Sequence, residues 1–378
     1  MNEDNTVSLA DAVALEELSK AGGAPCFNIT MLPAGQGDAL WIEYGCKGAP
    51  TSRVLVDCGT SASYSHLKAR ILQVPVAERR FDLFLMSHID SDHIGGALPL
   101  LADIEALGLR FDDLWFNGHK HLVVPRESAQ QGDVFSDLIV RKKLAWNAWK
   151  NGGAIVRADN AAPSFTLRGG MKITLLSPTH AKLVDLANAW NKGLPLTELA
   201  TEEAQQRGRA PETSEDVPWL ADEKNRPFKE DAAAPNGSSI AVLAEFAGKS
   251  LLLGADAHPG VLVQGIQAVL QARGGAKTLR LDAFKVSHHA SQNNLSPALL
   301  RLLNCKNYLV STNGSVFGHP DRVAIARIIQ SGGPQPHLWF NYQSKHNAVW
   351  AQPALQSKYH YAATFASGSE SGLSIGLF

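Results

Sequence analysis

The sequence predicts a layered α/β fold in which two β-sheets pack face to face and helices cover their outer surfaces. Short apolar strands that end in polar residues occur in both halves of the chain, and helical stretches separate some of them. With 378 residues, of which 45% are hydrophobic and 19% charged, the chain can bury a sizeable core. A two-sheet sandwich with outer helices accommodates this order of elements.

The hydrophobic pattern places the strands and helices as follows. Alternating or continuous apolar runs predict strands at 27–32, 39–44, 53–57, 81–86, 113–116, 172–177, 238–246, 250–253, 283–286 and 307–311. Helices are predicted at 66–72, from 97 onward, and at 134–150, 261–272, 297–303 and 322–330.

Composition divides the chain into three parts. Residues 1–25 are acidic and form a helical or flexible N-terminal segment, and residues 26–335 form the main domain. Within it, residues 185–236 are rich in Glu, Gln, Ala and Pro and are predicted as an inserted helical or partly mobile flap. Residues 336–378 are predicted as a C-terminal strand extension outside the core of that domain.

Charge and cysteine content exclude several classes of protein. The formal net charge of −1 gives no overall attraction to nucleic acid or anionic membrane, although a local basic channel remains compatible with it. The N-terminus does not resemble a signal peptide, and no apolar run is long enough to span a membrane. The four scattered cysteines are typical of reduced thiols, so we expect a cytoplasmic protein.

Chemically active side chains collect at predicted strand ends. His88, Asp90, Asp92 and His93 follow the strand at 81–86 directly. Imidazole and carboxylate groups are suitable ligands for zinc, manganese or iron, and two of each within six residues can serve two ions. Further residues at or just past the end of an apolar strand are Asp57, His119, Asp256 and His288.

The motifs resemble those of a known family. Ser87-His-Ile-Asp-Ser-Asp-His-Ile-Gly-Gly96 is similar to the metal-binding signature of the metallo-β-lactamase superfamily, whose fold is an αββα sandwich. The order of the other motifs resembles the hydrolase domain of the ComEC competence proteins. These motifs are Gly35-Gln-Gly-Asp-Ala39, Val54-Leu-Val-Asp-Cys-Gly59, Asn236-Gly-Ser-Ser-Ile240, Leu253-Gly-Ala-Asp256, Val286-Ser-His-His-Ala-Ser291 and Phe317-Gly-His-Pro320.

The resemblance implies a role for each matching residue. His88 and Asp90 would bind a first divalent ion, Asp92 and His93 a second, with Asp256 bridging them and His288 completing the second site. The ions would activate a water for attack, and Asp92 would also belong to the catalytic set. Asp57 would orient a ligand from behind, and His319 would contact a phosphate or protonate the leaving oxygen.

Two features depart from the common superfamily pattern. Asp90 stands where most members have histidine, and the harder oxygen ligand makes manganese, and less readily iron, an alternative to zinc. The histidine expected between residue 93 and Asp256 has no distinctive context. His119, His121 and His180 are candidates, and we favour His119 because it follows a predicted strand.

These observations favour a binuclear metal-dependent hydrolase, a phosphodiesterase or nuclease acting on nucleic acid or a nucleotide. Hydrolysis of a carbonyl substrate (a lactam, lactone or thioester) is an alternative, since the same metal pair can activate water against those bonds and the fold does not decide the substrate. A third reading is a metal-bound interaction module in which the insert at 185–236 and the C-terminal extension contact a protein partner. The sequence does not indicate the oligomeric state.

Overall fold

Two β-sheets pack face to face in the computed structural model, which describes residues 23–122, 131–191, 227–333, 335–368 and 372–378. Helices cover the outer surface of each sheet, so the predicted layered α/β sandwich is confirmed. The N-terminal segment predicted at 1–25 lies outside the described residues up to position 22. None of the described helices is long and apolar enough to cross a membrane.

The first sheet contains six of the described strands, in the order β16-β1-β2-β3-β5-β7. Strands β3, β5 and β7 are parallel, and β1 pairs with both β2 and β16 in antiparallel fashion. Their bounds are β1 (Pro25–Met31), β2 (Leu40–Cys46), β3 (Ser52–Val56), β5 (Leu83–Leu85), β7 (Leu114–Trp115) and β16 (Leu373–Gly376). A separate short pair consists of β4 (Arg80–Phe81) and β6 (Arg110–Phe111).

The second sheet contains eight described strands in the order β15-β14-β13-β12-β11-β10-β9-β8. The run from β11 to β15 is parallel, whereas β8, β9, β10 and β11 pair as antiparallel neighbours. Their bounds are β8 (Ser164–Thr166), β9 (Lys172–Ser177), β10 (Ala241–Phe246), β11 (Lys249–Leu253), β12 (Leu279–Lys285), β13 (Leu303–Val310), β14 (His337–Phe340) and β15 (Ala362–Phe365).

The apolar residues form three clusters that correspond to the layers. One cluster lies between the two sheets and includes side chains from both. The second joins the first sheet to α1, α3, α4 and α5, and the third joins the second sheet to α7, α8, α9 and α10. The helices are α1 (Tyr64–Leu72), α2 (Ser91–Ile94), α3 (Ala97–Ala102), α4 (Gln131–Arg141), α5 (His180–Asn191), α6 (Ala234–Gly237), α7 (Pro259–Ala272), α8 (Pro297–Arg301), α9 (Arg322–Ser331) and α10 (Pro353–Tyr359).

The helix predicted at 134–150 ends earlier than expected, at Arg141. The residues that follow belong to the first sheet's edge, because Trp146 forms an isolated bridge with Leu114 of β7. The buried Asn147 has a left-handed backbone, and its amide group bonds both backbone groups of Phe116. These sheet contacts replace helical hydrogen bonds over this stretch.

The C-terminal segment 336–378 is part of the sandwich, which corrects the expectation that it lies outside the core. β14 and β15 extend the second sheet beyond β13, and β16 pairs with β1 at the edge of the first sheet. Each of these strands satisfies its backbone groups on an existing sheet edge, which would otherwise leave a row of unpaired donors and acceptors.

The segment predicted as an insert at 185–236 is described only at its two ends, since 192–226 lie outside the described residues. At one end, Leu186 and Trp190 of α5 are buried against the first sheet's helical layer. At the other end, Asp231 is 5% exposed and bonds to core side chains. The described ends therefore belong to the core, and the rest of the predicted flap lies outside the described residues.

The two sheets are joined by polar contacts at one edge of the sandwich. Lys285, at the end of β12, donates to Asp38 of the β1–β2 loop at 2.6 Å, and both side chains are almost fully buried. The backbone N–H of Ile240 donates to the carbonyl of Ser87, and the hydroxyl of Ser311 donates to the carbonyl of Gly37. The edge at which chain ends from both sheets meet is therefore fixed by hydrogen bonds and by a buried ion pair.

We expect the substitution Lys285→Met to lower the free energy of unfolding by about 3–5 kcal/mol, because it leaves the Asp38 carboxylate buried without its cation. Urea denaturation measures this change. Lys68→Met is the control, since the Lys68–Asp103 pair is exposed and such pairs contribute about 0.2–1 kcal/mol. Equal losses in the two variants would contradict the structural importance of the buried pair.

Candidate metal centre

The candidate centre lies where parallel strands of both sheets end. In the first sheet, β3 is followed by Asp57 and β5 by Ser87 and His88, and the short helix α2 carries Asp92 and His93. In the second sheet, Asp256 follows β11, and the pair His288–His289 follows β12. The carboxyl ends of neighbouring parallel strands meet at one sheet edge, so both sheets contribute polar side chains to one place.

One oxygen atom, Oδ2 of Asp256, lies at the middle of four imidazole rings. The Nε2 atoms of His93, His289, His88 and His288 are 3.4, 3.7, 3.8 and 3.8 Å from it. Asp256 is 2% exposed, and the histidines are buried as well. Four nitrogens that converge on one buried carboxylate oxygen make a set of donors suited to divalent ions.

The outer nitrogens of the two first-sheet histidines are held by Asp57. His93 Nδ1 lies 2.8 Å from Asp57 Oδ2, so it donates its proton to the carboxylate. The hydroxyl of Ser87 also donates to Asp57, and it therefore accepts the hydrogen bond from His88 Nδ1 at 2.9 Å. Both rings then carry their proton on Nδ1, which leaves the Nε2 lone pairs directed at the centre.

The second-sheet histidines have the same arrangement. His289 Nδ1 lies 2.8 Å from the carbonyl oxygen of Ser311, which can only accept. His288 Nδ1 lies 2.9 Å from Oδ1 of Asn294, whose amide nitrogen donates to Asp231 and to the carbonyl of Asp256. In all four rings the outer nitrogen donates a hydrogen bond, so the inner nitrogen is the one that would bind a metal ion.

The electrostatics of the centre favour positive charge. Burial opposes protonation of His93, but the carboxylates of Asp256, Asp92 and Asp57 raise its pKa well above the ordinary value. Burial likewise opposes ionisation of Asp256, yet His93 and the two second-sheet histidines hold the pKa of its carboxyl well below the usual range. Carboxylates that remain ionised while buried provide the negative charge that a divalent cation requires.

The residues present fit a metal ion. His88 Nε2 and Asp256 Oδ1 are buried atoms without a hydrogen-bond partner, and such atoms are costly unless something binds them. His93 Nε2 and His289 Nε2 face each other at 3.3 Å, a contact that needs a cation when both carry lone pairs. Asp92, His93 and His289 form one close group, and His88, His93 and Asp256 form another.

Solvent approaches the centre from one side. The side chains of Asp90, Asp92 and His288 are 30%, 12% and 10% exposed, whereas those of His88, His93 and His289 are fully buried. Asp90 lies beside His88, with 3.5 Å between Oδ2 and Nε2. A substrate would therefore contact the centre on the face formed by Asp90, Asp92 and His288.

The structure brings together most of the residues singled out in the sequence. His88, Asp90, Asp92, His93, Asp256 and His288 share the centre, and Asp57 lies behind it. His319 is 1% exposed, and its ring centroid lies 5.4 Å from that of His288 and 6.4 Å from that of His289.

His119 has a different environment. Its ring packs edge-on against Trp190, with 5.7 Å between the ring centroids. Within the described part of the chain, none of the residue groups able to hold a metal ion contains His119, His121 or His180. The 3₁₀ turn at His119–His121 directs this stretch toward the α5 layer, so the preference for His119 as a ligand gains no support from the fold.

Sequence reasoning missed four residues around the centre. His289, and not His288, joins the group of Asp92 and His93. Asp38 lies 3.5 Å from Nδ1 of His289, and Asn294 and Asp231 lie behind His288. The Gly-Gln-Gly-Asp motif is the sequence signal that could have indicated Asp38. Its Gly37 packs directly against Asp92, because a Cβ at this position would lie 1.6 Å from the carbonyl oxygen of Asp92.

Comparison with known families is consistent with this geometry. Residues 32–186 match the family model described as the metallo-beta-lactamase superfamily. This part of the chain is therefore similar to that superfamily. The superfamily binds divalent metals, and the matched residues include the first-sheet part of the candidate centre. No curated protein matches the chain.

Three solved structures are similar to the chain at low identity. A diphosphatase from the PhnP family is 10% identical, with 93% of this chain and 97% of that chain covered and a TM-score of 0.37. The metallo-β-lactamase MIM-2 is 11% identical, with coverage of 74% and 86% and a TM-score of 0.28. A long form of RNase Z from yeast is 7% identical, with coverage of 83% and 36% and a TM-score of 0.34.

We expect the purified protein to bind close to two divalent ions per chain, and Asp256→Ala to lower that number. Asp256 is expected to have this effect because its Oδ2 is the atom that both groups of histidines share. Elemental analysis after reconstitution with manganese or zinc provides the measurement. His119→Ala serves as the control and should keep the wild-type content, and a protein that binds no ion at all would refute the centre.

A second expectation concerns Asp57. Asp57→Asn should weaken metal binding by about 10- to 100-fold, because the amide cannot accept from His93 and Ser87 as the carboxylate does. Calorimetric titration of the apoprotein measures the affinity. Asp113→Asn is a matched control, since Asp113 is also buried but accepts from Trp115 and nearby backbone groups. If both variants keep the wild-type affinity, Asp57 has no part in orienting the histidines.

Proposed function

We propose that this protein is a binuclear metal-dependent hydrolase whose substrate is a phosphodiester in a nucleic acid or a nucleotide. The observation that carries the proposal is the convergence of four imidazole Nε2 atoms on Oδ2 of Asp256. Divalent ions in such a site supply a water nucleophile of lowered pKa and polarise the group under attack. The oxygen and nitrogen donors are compatible with zinc or manganese.

The residues of the chain have separate tasks in this proposal. The histidines and Asp256 hold the ions, while Asp57, Ser311 and Asn294 keep the imidazole rings from rotating. Asp92 lies at the partly exposed face, where its carboxylate can both bind an ion and accept a hydrogen bond from the attacking water. A rigid arrangement of this kind lowers the barrier because little reorganisation is needed in the transition state.

His319 supports phosphodiester rather than carbonyl chemistry. Its ring is buried beside His288 and His289, and its Nδ1 lies 3.4 Å from Oδ1 of Asp321. An alkoxide that leaves a phosphodiester benefits from a proton donor, and phosphate oxygens need hydrogen-bond donors around them. A strained lactam has less need of a histidine at this position.

We therefore expect His319→Ala to keep both ions but to lose roughly 100-fold or more in phosphodiesterase rate, the usual scale for one acid–base group. Asp92→Ala should lose metal and activity together, since Asp92 lies within 3.3 Å of His289 Nε2 in the centre. Metal content and turnover of bis-p-nitrophenyl phosphate are measured side by side for the two variants.

His337→Ala is the matched control for this experiment, because His337 bonds to Thr364 and stacks on Trp339, both in the C-terminal strands. An unaltered phosphodiesterase rate in His319→Ala would show that His319 does not act as a proton donor. Faster turnover of nitrocefin or a thioester than of the phosphodiester by the wild-type protein would overturn the proposed substrate class and favour a carbonyl substrate.

A further inference from the structure

We infer that His288 is the histidine ligand of the first ion, in place of the histidine that the sequence was expected to supply between residue 93 and Asp256. We further infer that Asp231 holds His288 in place through Asn294. The inference rests on the proposed binuclear centre and deepens it. It divides the tandem histidines, so that His288 serves the ion of His88 and Asp90, and His289 serves the ion of Asp92 and His93.

The first step is that the second group is already complete without His288. His289 Nε2 lies 3.3 Å from both Asp92 Oδ2 and His93 Nε2, and all three lie close to Asp256. Together these residues would supply four oxygen and nitrogen donors to the second ion. His88 lies 3.5 Å from Asp90 and forms a close group with His93 and Asp256, which the second ion also uses. A ligand that serves the first ion alone is therefore still needed, and His288 Nε2 lies 3.8 Å from the same oxygen of Asp256.

The second step is the backbone conformation of the tandem pair. His288, His289 and Ala290 all have positive φ, at 47°, 53° and 66°. Consecutive residues of an extended strand point to opposite faces, whereas this left-handed run directs two neighbouring side chains to the same carboxylate. The rings diverge, with centroids 5.9 Å apart and an interplanar angle of 80°. Such strain in non-glycine residues is characteristic of functional sites.

The third step is the hydrogen-bond chain behind His288. Asn294 is fully buried, and its Nδ2 donates to Asp231 Oδ2 at 2.9 Å and to the carbonyl of Asp256 at 3.1 Å. Both partners only accept, so the amide orientation is determined and Oδ1 faces His288 Nδ1 at 2.9 Å. His288 must donate there, and its Nε2 keeps the lone pair that a metal ion needs.

The fourth step concerns what holds Asp231. Its carboxylate also accepts from Nδ2 of Asn236 at 2.7 Å and from the backbone N–H of Ala233 at 2.9 Å. Both carboxylate oxygens of Asp231 therefore accept hydrogen bonds from N–H groups. An asparagine at this position would point its own amide N–H at one of those donors. Asp231 is the positioning residue of the first ion, just as Asp57 orients the ring of His93 for the second.

Paired substitutions test the division of the tandem histidines by metal stoichiometry. Asp90→Ala alone should leave one ion per chain. The double variant Asp90→Ala with His288→Ala should still bind that ion, because both substitutions affect the first site. The double variant Asp90→Ala with His289→Ala should bind none, because it affects both sites. The reverse pattern would overturn the assignment. Elemental analysis and circular dichroism are measured on each variant, so that loss of metal is distinguished from loss of fold.

Asp231→Asn tests the positioning role. In calorimetric titration with manganese, we expect one of the two affinities to fall by about 10- to 100-fold and the other to stay within about twofold. Glu230→Gln is the matched control, because the neighbouring Glu230 is exposed and accepts from the backbone of Gly260. The nitrogen-15 shifts of the His288 ring in the metal-free protein should show the Nδ1–H tautomer in wild type and a mixture in Asp231→Asn.

Two wild-type affinities that both survive in Asp231→Asn would overturn this role and leave the proposed hydrolase intact. A wild-type protein that binds no metal would overturn the proposed function together with the inference. If the variants lose metal ions as expected but the wild-type protein has no phosphodiesterase activity, the assignment of the two histidines is supported and only the proposed substrate is refuted.

Discussion

The carboxylate of Asp256 is the point on which the structure around the centre depends. Four imidazole nitrogens lie within 3.8 Å of its Oδ2. Two of the rings belong to the first sheet and two to the second, so the cluster exists only where the sheet edges meet. The Lys285–Asp38 pair and the hydrogen bonds of Ile240 and Ser311 across the same edge hold the sheets in that position.

The centre contains buried polar atoms that lack a hydrogen-bond partner. Buried polar groups are costly unless they are paired, and every outer nitrogen of the four rings has an acceptor. The unpartnered Nε2 of His88 and Oδ1 of Asp256 are in the interior of the cluster. The outer ring nitrogens are thus held by hydrogen bonds, and the inner nitrogen and oxygen atoms are positioned to bind an ion. This is the arrangement expected of a preorganised metal site.

Two segments that look peripheral in the sequence are connected to this site. Asp231, at the end of the polar 185–236 segment, bonds to Asn294 directly behind His288. In the C-terminal segment, the Asn341 side chain bonds to the Leu32 carbonyl and to Ser311, whose own carbonyl accepts from His289. Because each contact joins residues far apart in the chain, composition alone gave no indication of it.

The sequence by itself determined the layered fold and singled out the residues of the first-sheet cluster, together with Asp57 and Asp256. These features are local, because strand periodicity and the short spacing from His88 to His93 are written in consecutive residues. The strands of 337–376 could not be placed in this way, since an edge strand is decided by which sheet edge is open to it.

Only the tertiary structure decided how the tandem histidines are arranged, that His119 packs against Trp190, and that Asp38 and Asp231 lie at the centre. The physical reason is the same in each case. The direction of the His288 and His289 side chains follows from a left-handed backbone run, and that run is stabilised by packing against elements distant in sequence. Side-chain direction of this kind has no local signal in the order of the amino acids.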